Sequence, residues 1–419
     1  MPSSLKLANS TRIDDWGAYP DTWSVPNIRH LRVLDSVARN ASIGQAAAEF
    51  GLSQPAVSQA IAKLEEHVGR SLFDRNRNGA YLTTVGDVFV QRVRRFLGQL
   101  NNVVDEIHAE GGNCTLARRL SSTQVRCLLA VAFSSSFAEA ARSIGISAPA
   151  LHRVARELEA NCGIPLYQPT KIGLTLSPIG AELARRLGLA IREIHAAGDD
   201  IRYLDGIEAG SIVIGALPMS GDYLIGATIA ELTSLLPEAH VQIITSPYGA
   251  LMNSLRTGKI DMIFGALRPP HEASELNEEA LFADPYCIVS RADHPLTKVS
   301  SLSTADILDY DWIVPGKGSA RRRQYDALFH GTDQKPRAGV ETSSISTIRS
   351  ILCCSDRLAM VNEYEVETEN RLHILKVIEP SPEIPSMAKG ITTRADWLPT
   401  PVQKRFLAML RTNASNRTA

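Results

Sequence analysis

The chain of 419 residues has no apolar run of the roughly 18 to 20 residues that a membrane-spanning helix requires. Its N-terminal segment, residues 1–26, also has no apolar core of the kind found in secretory signals. These absences argue against an integral membrane protein and against export. We therefore expect a cytoplasmic protein without a membrane partner.

Cysteine is scarce, and the cysteines that are present do not have the paired spacing of a metal site. The six positions are Cys114, Cys127, Cys162, Cys287, Cys353 and Cys354. A disulfide framework is typical of small secreted domains, so in this chain we expect reduced thiols. We expect no bound metal.

Motifs of the common catalytic classes are missing as well. The sequence has no GxxxxGKS loop to cradle a phosphate, no HExxH zinc helix and no GxSxG nucleophile elbow. We therefore expect a protein that is not an enzyme and has no cofactor.

An excess of charge of either sign is also absent, since the formal net charge is −1. The distribution is uneven, however. Basic and acidic residues number 10 and 6 in residues 27–97, 11 and 8 in 118–207, and 21 and 25 in 208–419. The sign of this asymmetry is the one expected if the N-terminal half binds phosphates.

A gap-free internal repeat with an offset of 94 residues dominates the N-terminal half. Residues 41–86 are matched by residues 135–180. Positions identical in the two copies are, in first-copy numbers, Ala46, Ala47, Gly51, Ser53, Pro55, Ala56, Leu64, Glu65, Gly69, Leu72, Leu82 and Gly86. One small unit has therefore been built twice. Two copies are too few for a solenoid, which needs at least about three repeats to bury a continuous core.

Each copy has the pattern of a helix-turn-helix. Gly51 suits the left-handed turn that ends a short helix, and Ser53 is a natural N-cap for the next one. Pro55 is tolerated in a first helical turn, where its missing N–H would be unpaired anyway. Apolar residues then recur at helical spacing and form one buried stripe: Val57, Ile61, Leu64 and Val68.

The opposite face of this second helix carries short polar and amide side chains, which suit base edges in a major groove. A polar turn downstream predicts a β-hairpin wing whose arginines meet phosphates. Most amphipathic helices only bury one face, but the cap, the wing and the polar face together favour DNA binding. The predicted DNA-binding residues are Ser53, Gln54, Pro55, Ser58, Gln59, Lys63, Arg75 and Arg77.

The second copy changes the positions that would face bases. Ala148, His152 and Arg153 replace Gln54, Ser58 and Gln59, and Gln168-Pro169 replaces Asp74-Arg75. Two interpretations remain open: DNA binding with altered base preference, or a scaffold that pairs subunits and spaces the domains. We favour a scaffold or weak phosphate contact. The candidate second DNA-binding residues are His152, Arg153, Arg156 and Lys171.

Residues 31–86 closely resemble the winged helix-turn-helix of LysR-type transcriptional regulators, a bacterial family. GSIVIGALP at 210–218, LRTGKIDMIFGAL at 255–267 and HPL at 294–296 are similar to the effector-binding domain of that family. The resemblance covers residues 27 to about 411. The chain departs from the family in carrying two DNA-binding units instead of one.

The resemblance implies a multidomain chain: two helix-rich winged helix-turn-helix units, then an α/β effector domain of two lobes, like a periplasmic binding protein. The predicted ranges are an extension at 1–26, winged units at 27–86 and 118–180, linker helices at 87–112 and 181–207, the effector domain at 208–411 and a tail at 412–419. Lobe I is expected at about 208–286 and 388–411, and lobe II at about 287–387. In the family, the linker helix pairs two subunits antiparallel.

Alternating strands and helices after residue 208 indicate βαβ units on a parallel sheet. Open α/β sheets bind ligands beyond the carboxyl ends of their strands. The predicted effector-binding residues on this basis are Met219, Ser220, Thr245, Ser246, Ser319, Ser343 and Ser344. Each of them could instead be an ordinary helix cap.

The sequence thus predicts a transcriptional regulator that binds double-stranded DNA and responds to a small-molecule effector, as a homodimer or homotetramer. The alternative is a solute-binding protein of the periplasmic type without a role in transcription. The chemistry of the predicted site residues suits a carboxylate or a polyol equally.

Overall fold

The computed structural model describes residues 26–76, 79–109, 120–134, 136–170, 173–268, 275–299, 303–330, 332, 335–378 and 384–418. The chain divides into two compact units, Met1–Ser211 and Ile212–Ala419. The repeat lies in the first unit. The second unit contains the predicted effector domain.

The first copy of the repeat forms a winged helix-turn-helix, as predicted. Its elements are α1 (Ile28–Asn40), α2 (Ile43–Phe50), α3 (Gln54–Val68), β1 (Phe73–Asn76), β2 (Gly79–Leu82) and the long α4 (Thr84–Ala109). Gly51 ends α2 at a φ of 60°, and the Ser53 hydroxyl caps α3 by accepting from the Ala56 N–H at 3.4 Å. Strands β1 and β2 pair antiparallel as the wing.

The second copy repeats this arrangement element by element. It comprises α5 (Ser122–Phe133), α6 (Phe137–Ser143), α7 (Ala148–Cys162), β3 (Tyr167–Thr170), β4 (Gly173–Leu176) and the long α8 (Pro178–Leu204). Gly145 adopts a φ of 70°, and Ser147 accepts from the Ala150 N–H at 3.3 Å. The replaced surface residues have therefore left the local fold intact.

The long helices begin three residues before the predicted starts of the linkers at 87 and 181. Thr83 and Ser177 cap them, accepting from the N–H groups of Gly86 and Gly180 at 2.9 and 3.1 Å. Helix α8 ends at Leu204, before the predicted 207. The predicted first boundary, residue 112, lies outside the described residues.

The two copies share a single apolar core. One cluster of buried side chains runs from Ile28 to Ile201 and includes residues of α1, α3, α4, α5, α7 and α8. Helices α4 and α8 pack against each other within it. The first unit of the chain is therefore one folded body.

The second unit contains two five-stranded sheets. The first has the order β6-β5-β7-β14-β8, with β5 (Gly210–Ala216), β6 (Ala239–Thr245), β7 (Met262–Ala266), β8 (Leu276–Asp284) and β14 (Met387–Arg394). The second has the order β11-β10-β12-β9-β13, with β9 (Tyr286–Arg291), β10 (Trp312–Val314), β11 (Val340–Glu341), β12 (Leu358–Asn362) and β13 (Leu375–Val377).

The helices of this unit follow the strands. They are α9 (Asp222–Leu235), α10 (Tyr248–Arg256), α11 (Thr304–Leu308), α12 (Ala320–Leu328), α13 (Ile345–Cys353), α14 (Glu367–Arg371) and α15 (Pro401–Thr418). Two short 3-10 helices, Pro295–Lys298 and Glu363–Val366, complete the described elements.

Three details differ from the expectations for this half. The sheets are mixed, because β14 pairs antiparallel with β7 and β8 and β9 pairs antiparallel with β12 and β13. Tyr286 begins a strand of the second sheet and Met387 begins a strand of the first. Each predicted boundary between the lobes is therefore one residue too late. The predicted tail at 412–419 is wrong, since α15 continues to Thr418 and buries Ala414 in the first lobe's core.

The glycines that open both long helices allow a close approach of two backbones. A Cβ at Gly180 would lie 2.1 Å from the Leu166 carbonyl oxygen, whereas a Cβ at Gly98, in the exposed middle of α4, would have no neighbour within 4 Å. We expect Gly180→Ala to destabilise the chain by about 1–3 kcal/mol through overpacking. Gly98→Ala should stabilise it by up to about 1 kcal/mol, since alanine favours a helix. Chemical denaturation measures both. Equal stability of the two variants would show that the close approach is not required.

Candidate functional site

The polar face of α3 is open to solvent in the first winged unit. Gln54, Gln59 and Lys63 are exposed and Ser58 is half-buried, while Val57 and Ile61 on the other side are buried. Ser53 and Pro55 are exposed at the start of the helix. Most of the predicted base-reading side chains are therefore accessible to solvent.

The wing is tied to α3 by Glu65. Its carboxylate accepts from the N–H groups of Leu72 and Phe73 at 2.9 and 3.3 Å, and it also pairs with Arg75 at 3.3 Å. Arg75 is thus held beside α3 on an exposed strand. Arg77, the other predicted wing residue, lies outside the described residues.

Two basic residues near α3 were not singled out in the sequence. Burial lowers the pKa of His30, and the charges of Lys63 and Arg29 lower it further. Arg29, His30 and Lys63 therefore lie near one another, and the lowered pKa leaves His30 uncharged at neutral pH, so Arg29 and Lys63 supply the charge of this basic cluster. Residue spacing in the sequence could not reveal this cluster, because α1 and α3 come together only in the fold.

The second winged unit offers a different surface. His152 is exposed, with its ring centroid 4.3 Å from that of Phe137, and Arg153 is exposed beside it. Arg156 is exposed and pairs with Glu159 at 2.7 Å. Lys171 lies outside the described residues. This surface is basic but has no glutamine at the positions equivalent to Gln54 and Gln59.

A cavity of about 400 Å³ opens in the second unit, at the carboxyl ends of β5 and β10. Four predicted effector residues lie on its wall: Met219, Ser220, Ser319 and Ser343. The other three, Thr245, Ser246 and Ser344, do not line it. The Ser246 N–H is bonded to the Ala216 carbonyl, and the Ser344 hydroxyl caps α13 by accepting from the Thr347 N–H.

The cavity wall also includes charged, aromatic and amide side chains that were not predicted. They are Tyr248, Arg268, Tyr286, Arg321, Asn362 and Lys389. The Arg268 guanidinium carbon lies 3.6 Å from the centre of the Tyr248 ring. The wall is therefore richer in cations than the serine-based prediction suggests.

Lys389 is a buried cation with a partner. Its ammonium lies 2.5 Å from a carboxylate oxygen of Asp284 and donates to the Met219 carbonyl at 3.2 Å. Burial lowers the pKa of Lys389, and the charge of Asp284 opposes that shift. The lysine charge is thus compensated by the protein.

Arg321 is a buried cation that forms no ion pair with a carboxylate among the described residues, although the charge of Glu365 favours its charged form. It is 6% exposed, one guanidinium nitrogen donates to the Met219 sulfur, and its Nε has no hydrogen-bond partner among the described residues. Burial lowers the pKa of Arg321 to about 10, so the side chain still carries its charge at neutral pH. Of the three consecutive arginines 321–323 only this one is buried, which the sequence alone does not show.

The loop between β5 and α9 places Met219 against both cations. Met219 has a φ of 57° and Gly221 a φ of 109°, both in the left-handed region. The Glu365 carboxylate accepts from the N–H groups of Gly221 and Asp222 and so fixes this turn from the other lobe. Burial raises the pKa of Glu365, while the charge of Lys389 lowers it.

Comparison with known families identifies the domains that carry these two surfaces. Residues 28–87 and, separately, residues 122–181 match the bacterial regulatory helix-turn-helix of the lysR family, and residues 205–415 match the LysR substrate binding domain. The chain belongs to the LysR family of transcriptional regulators. It is accordingly a DNA-binding regulator with an effector-binding domain, and the alternative of a solute-binding protein gains no support.

Curated relatives are regulators of the same kind. The HTH-type transcriptional regulator GalR of Pseudomonas putida is 28% identical over 92% of this chain and 97% of its own length. YdcI of Escherichia coli, an uncharacterized HTH-type regulator, is 27% identical over 68% of this chain and 92% of its own length. Because the GalR alignment covers 92% of this chain, it includes at least part of each helix-turn-helix copy.

Among solved structures, full-length OxyR C199D from Pseudomonas aeruginosa is similar to this chain with a TM-score of 0.52 and 22% identity. The match covers 70% of this chain and 94% of that one, and it bears on the fold alone. None of the described helices is long and apolar enough to cross a membrane.

The two buried cations of the cavity should respond oppositely to removal of their charge. Lys389→Met leaves Asp284 buried without its partner and should cost about 3–5 kcal/mol of folding stability. Arg321→Met removes a buried charge that has no direct ion pair among the described residues, so the ligand-free protein should be as stable as the parent or more stable. Thermal unfolding of both purified variants tests this pair. A large loss of stability in Arg321→Met would show that the protein itself compensates that charge.

Proposed function

We propose that the first winged unit reads DNA sequence with α3 in the major groove, while Arg75 and Arg77 contact the backbone. The effector that regulates this binding is a small organic anion held in the cavity of the second unit. The protein acts in the cytoplasm as a homo-oligomer, a homodimer or homotetramer.

The exposed amides of α3 support the base-reading role. Gln54, in the first turn of α3, and Gln59, on the face opposite Val57 and Ile61, are both exposed, so neither is part of the buried core. A glutamine amide can donate to and accept from adenine at once. The basic cluster of Arg29, His30 and Lys63 beside them suits the flanking phosphates.

Arg321 supports an anionic effector over a neutral one. A buried guanidinium that lacks a carboxylate partner is unfavourable in the empty protein, and an anion in the cavity would supply the missing charge. Ser220, Ser319 and Ser343 on the same wall offer hydrogen bonds to the rest of the ligand. The carboxylate is therefore favoured over the polyol that the sequence left equally open.

A double variant of α3 tests the base-reading role. Gln54→Ala/Gln59→Ala should fold normally and bind more weakly to DNA from the region upstream of the protein's own gene. Loss of a bidentate base contact is worth about 1–3 kcal/mol. Gln91→Ala, which removes an exposed glutamine of α4, is the matched control. Unchanged affinity of the double variant in a gel-shift titration would rule out base reading by these two side chains.

A panel of ligands tests the class of effector. Small carboxylates are compared with their own primary amides and with polyols, using the shift in thermal unfolding of the full chain. At a ligand concentration of 100 times Kd, binding should add about 2.7 kcal/mol of stability. We expect one or more carboxylates to stabilise the protein and their amides not to.

The arginine variants connect that result to the cavity. Arg321→Met should abolish the stabilisation, while Arg322→Met, on the next residue of α12, should retain it. Stabilisation by a neutral polyol that persists in Arg321→Met would contradict the anionic effector. It would leave the DNA-binding role untouched.

A further inference from the structure

Equivalent faces of α4 and α8 are buried in the first unit. Seven positions related by the offset of 94 residues are buried in both helices: Phe89/Leu183, Val90/Ala184, Val93/Leu187, Phe96/Ala190, Leu97/Ile191, Leu100/Ile194 and Val103/Ala197. Because the two helices pack on each other, each copy uses the same face against the other. This is the arrangement of an isologous interface, in which one surface patch is its own partner.

A buried ion network lies across this interface. Arg92 of α4 is 3% exposed at its side chain and pairs with Glu193 at 2.9 Å and with Asp200 at 2.7 Å. Arg95 pairs with Glu193 at 2.9 Å. Arg92 pairs with residues 193 and 200 of α8, whereas Arg95, one turn later in α4, pairs with residue 193. The ion pairs therefore shift toward the start of α8 as α4 proceeds, so the two helices run antiparallel.

The network joins unlike copies. The position equivalent to Glu193 in α4 is Gln99, and the position equivalent to Arg95 in α8 is Leu189. An interface between two α4 helices would place Gln99 at the position of Glu193 and Glu106 at the position of Asp200. Buried Arg92 would keep one carboxylate, but Arg92 and Arg95 would both lose the partner that Glu193 provides. The charges therefore favour the α4–α8 pair over the α4–α4 pair.

Two further contacts join the copies away from the helix interface. Arg70, which follows α3, pairs with Asp205 at the end of α8 at 2.9 Å. The Ser122 hydroxyl at the start of α5 donates to the Pro26 carbonyl at 2.7 Å. The first winged unit is therefore fixed to the second at three separate places.

We propose that the second copy is the built-in partner of the first, so that one chain presents a fixed pair of winged units. The α4 face is occupied within the chain and is closed to a second chain. Because the exposed residues of α3 and α7 differ, the two winged units of one chain present unlike recognition surfaces. This pairing is independent of the effector and of which bases each unit reads.

Cysteine cross-linking in the full chain tests the pairing. Arg70→Cys/Asp205→Cys replaces an exposed ion pair, whose loss costs little stability. Cys114, Cys353 and Cys354 are changed to serine in the background. Cys127, Cys162 and Cys287 stay, because all three are buried. Burial also raises the pKa of the Cys127 and Cys162 thiols to about 11 and about 12, which makes them unreactive.

A short bismaleimide should then link residues 70 and 205 within one chain. The product should run at the monomer mass on a denaturing gel, contain the linked peptide pair by mass spectrometry, and form to the same extent at all protein concentrations. The two single-cysteine variants should give no product. A product at the dimer mass would overturn the proposal, because it would show that the copies pair between chains.

A second cysteine pair checks the helix interface directly. Arg95→Cys/Glu193→Cys should likewise give the intrachain product. This variant removes one carboxylate from Arg92 and leaves Asp200 as its partner, so its folding is first checked by thermal unfolding. Failure of both pairs to cross-link in folded protein would also contradict the proposal, since both ion pairs place their side chains in contact.

Discussion

The burial of Arg92 between Glu193 and Asp200 is the interaction on which the N-terminal half depends. A buried guanidinium requires its carboxylates in place, so α4 and α8 are held at one register. Each of those helices continues from a wing, and each wing is fixed to its recognition helix by one glutamate, Glu65 or Glu159. The orientation of both recognition helices therefore follows from the register of the helix pair.

This constraint explains which residues the two copies share. Gly86 and Gly180 permit the same close approach to a carbonyl, and Ser53 and Ser147 cap the same helix. These positions are identical because the backbone geometry of the unit requires them. The exposed positions of α3 and α7 do not affect that geometry, so they were free to diverge. In the second unit of the chain, Lys389 is paired with Asp284, while Arg321 forms no ion pair among the described residues.

The sequence was most informative where a local rule acts. The repeat, the glycine turns and the serine caps predicted the helix-turn-helix units, and the alternation of strands and helices after residue 208 predicted the α/β domain. Pairings between distant segments were not predictable: antiparallel β14 makes the sheet mixed, and Ala414 in the lobe I core makes the tail part of α15. The burial of Arg321 beside Met219 and the packing of α4 on α8 could not be predicted either, because both depend on residues far apart in the sequence.

The central claim is that the two winged units are a fixed pair within one chain. Its most direct measurement is the distance between spin labels at Gln59→Cys and Arg153→Cys on the two recognition helices, in full-length protein by double electron–electron resonance. The account predicts one narrow intrachain distance that persists when labelled chains are assembled with an excess of unlabelled chains. A distribution that is broad, or that disappears on such dilution, would contradict it.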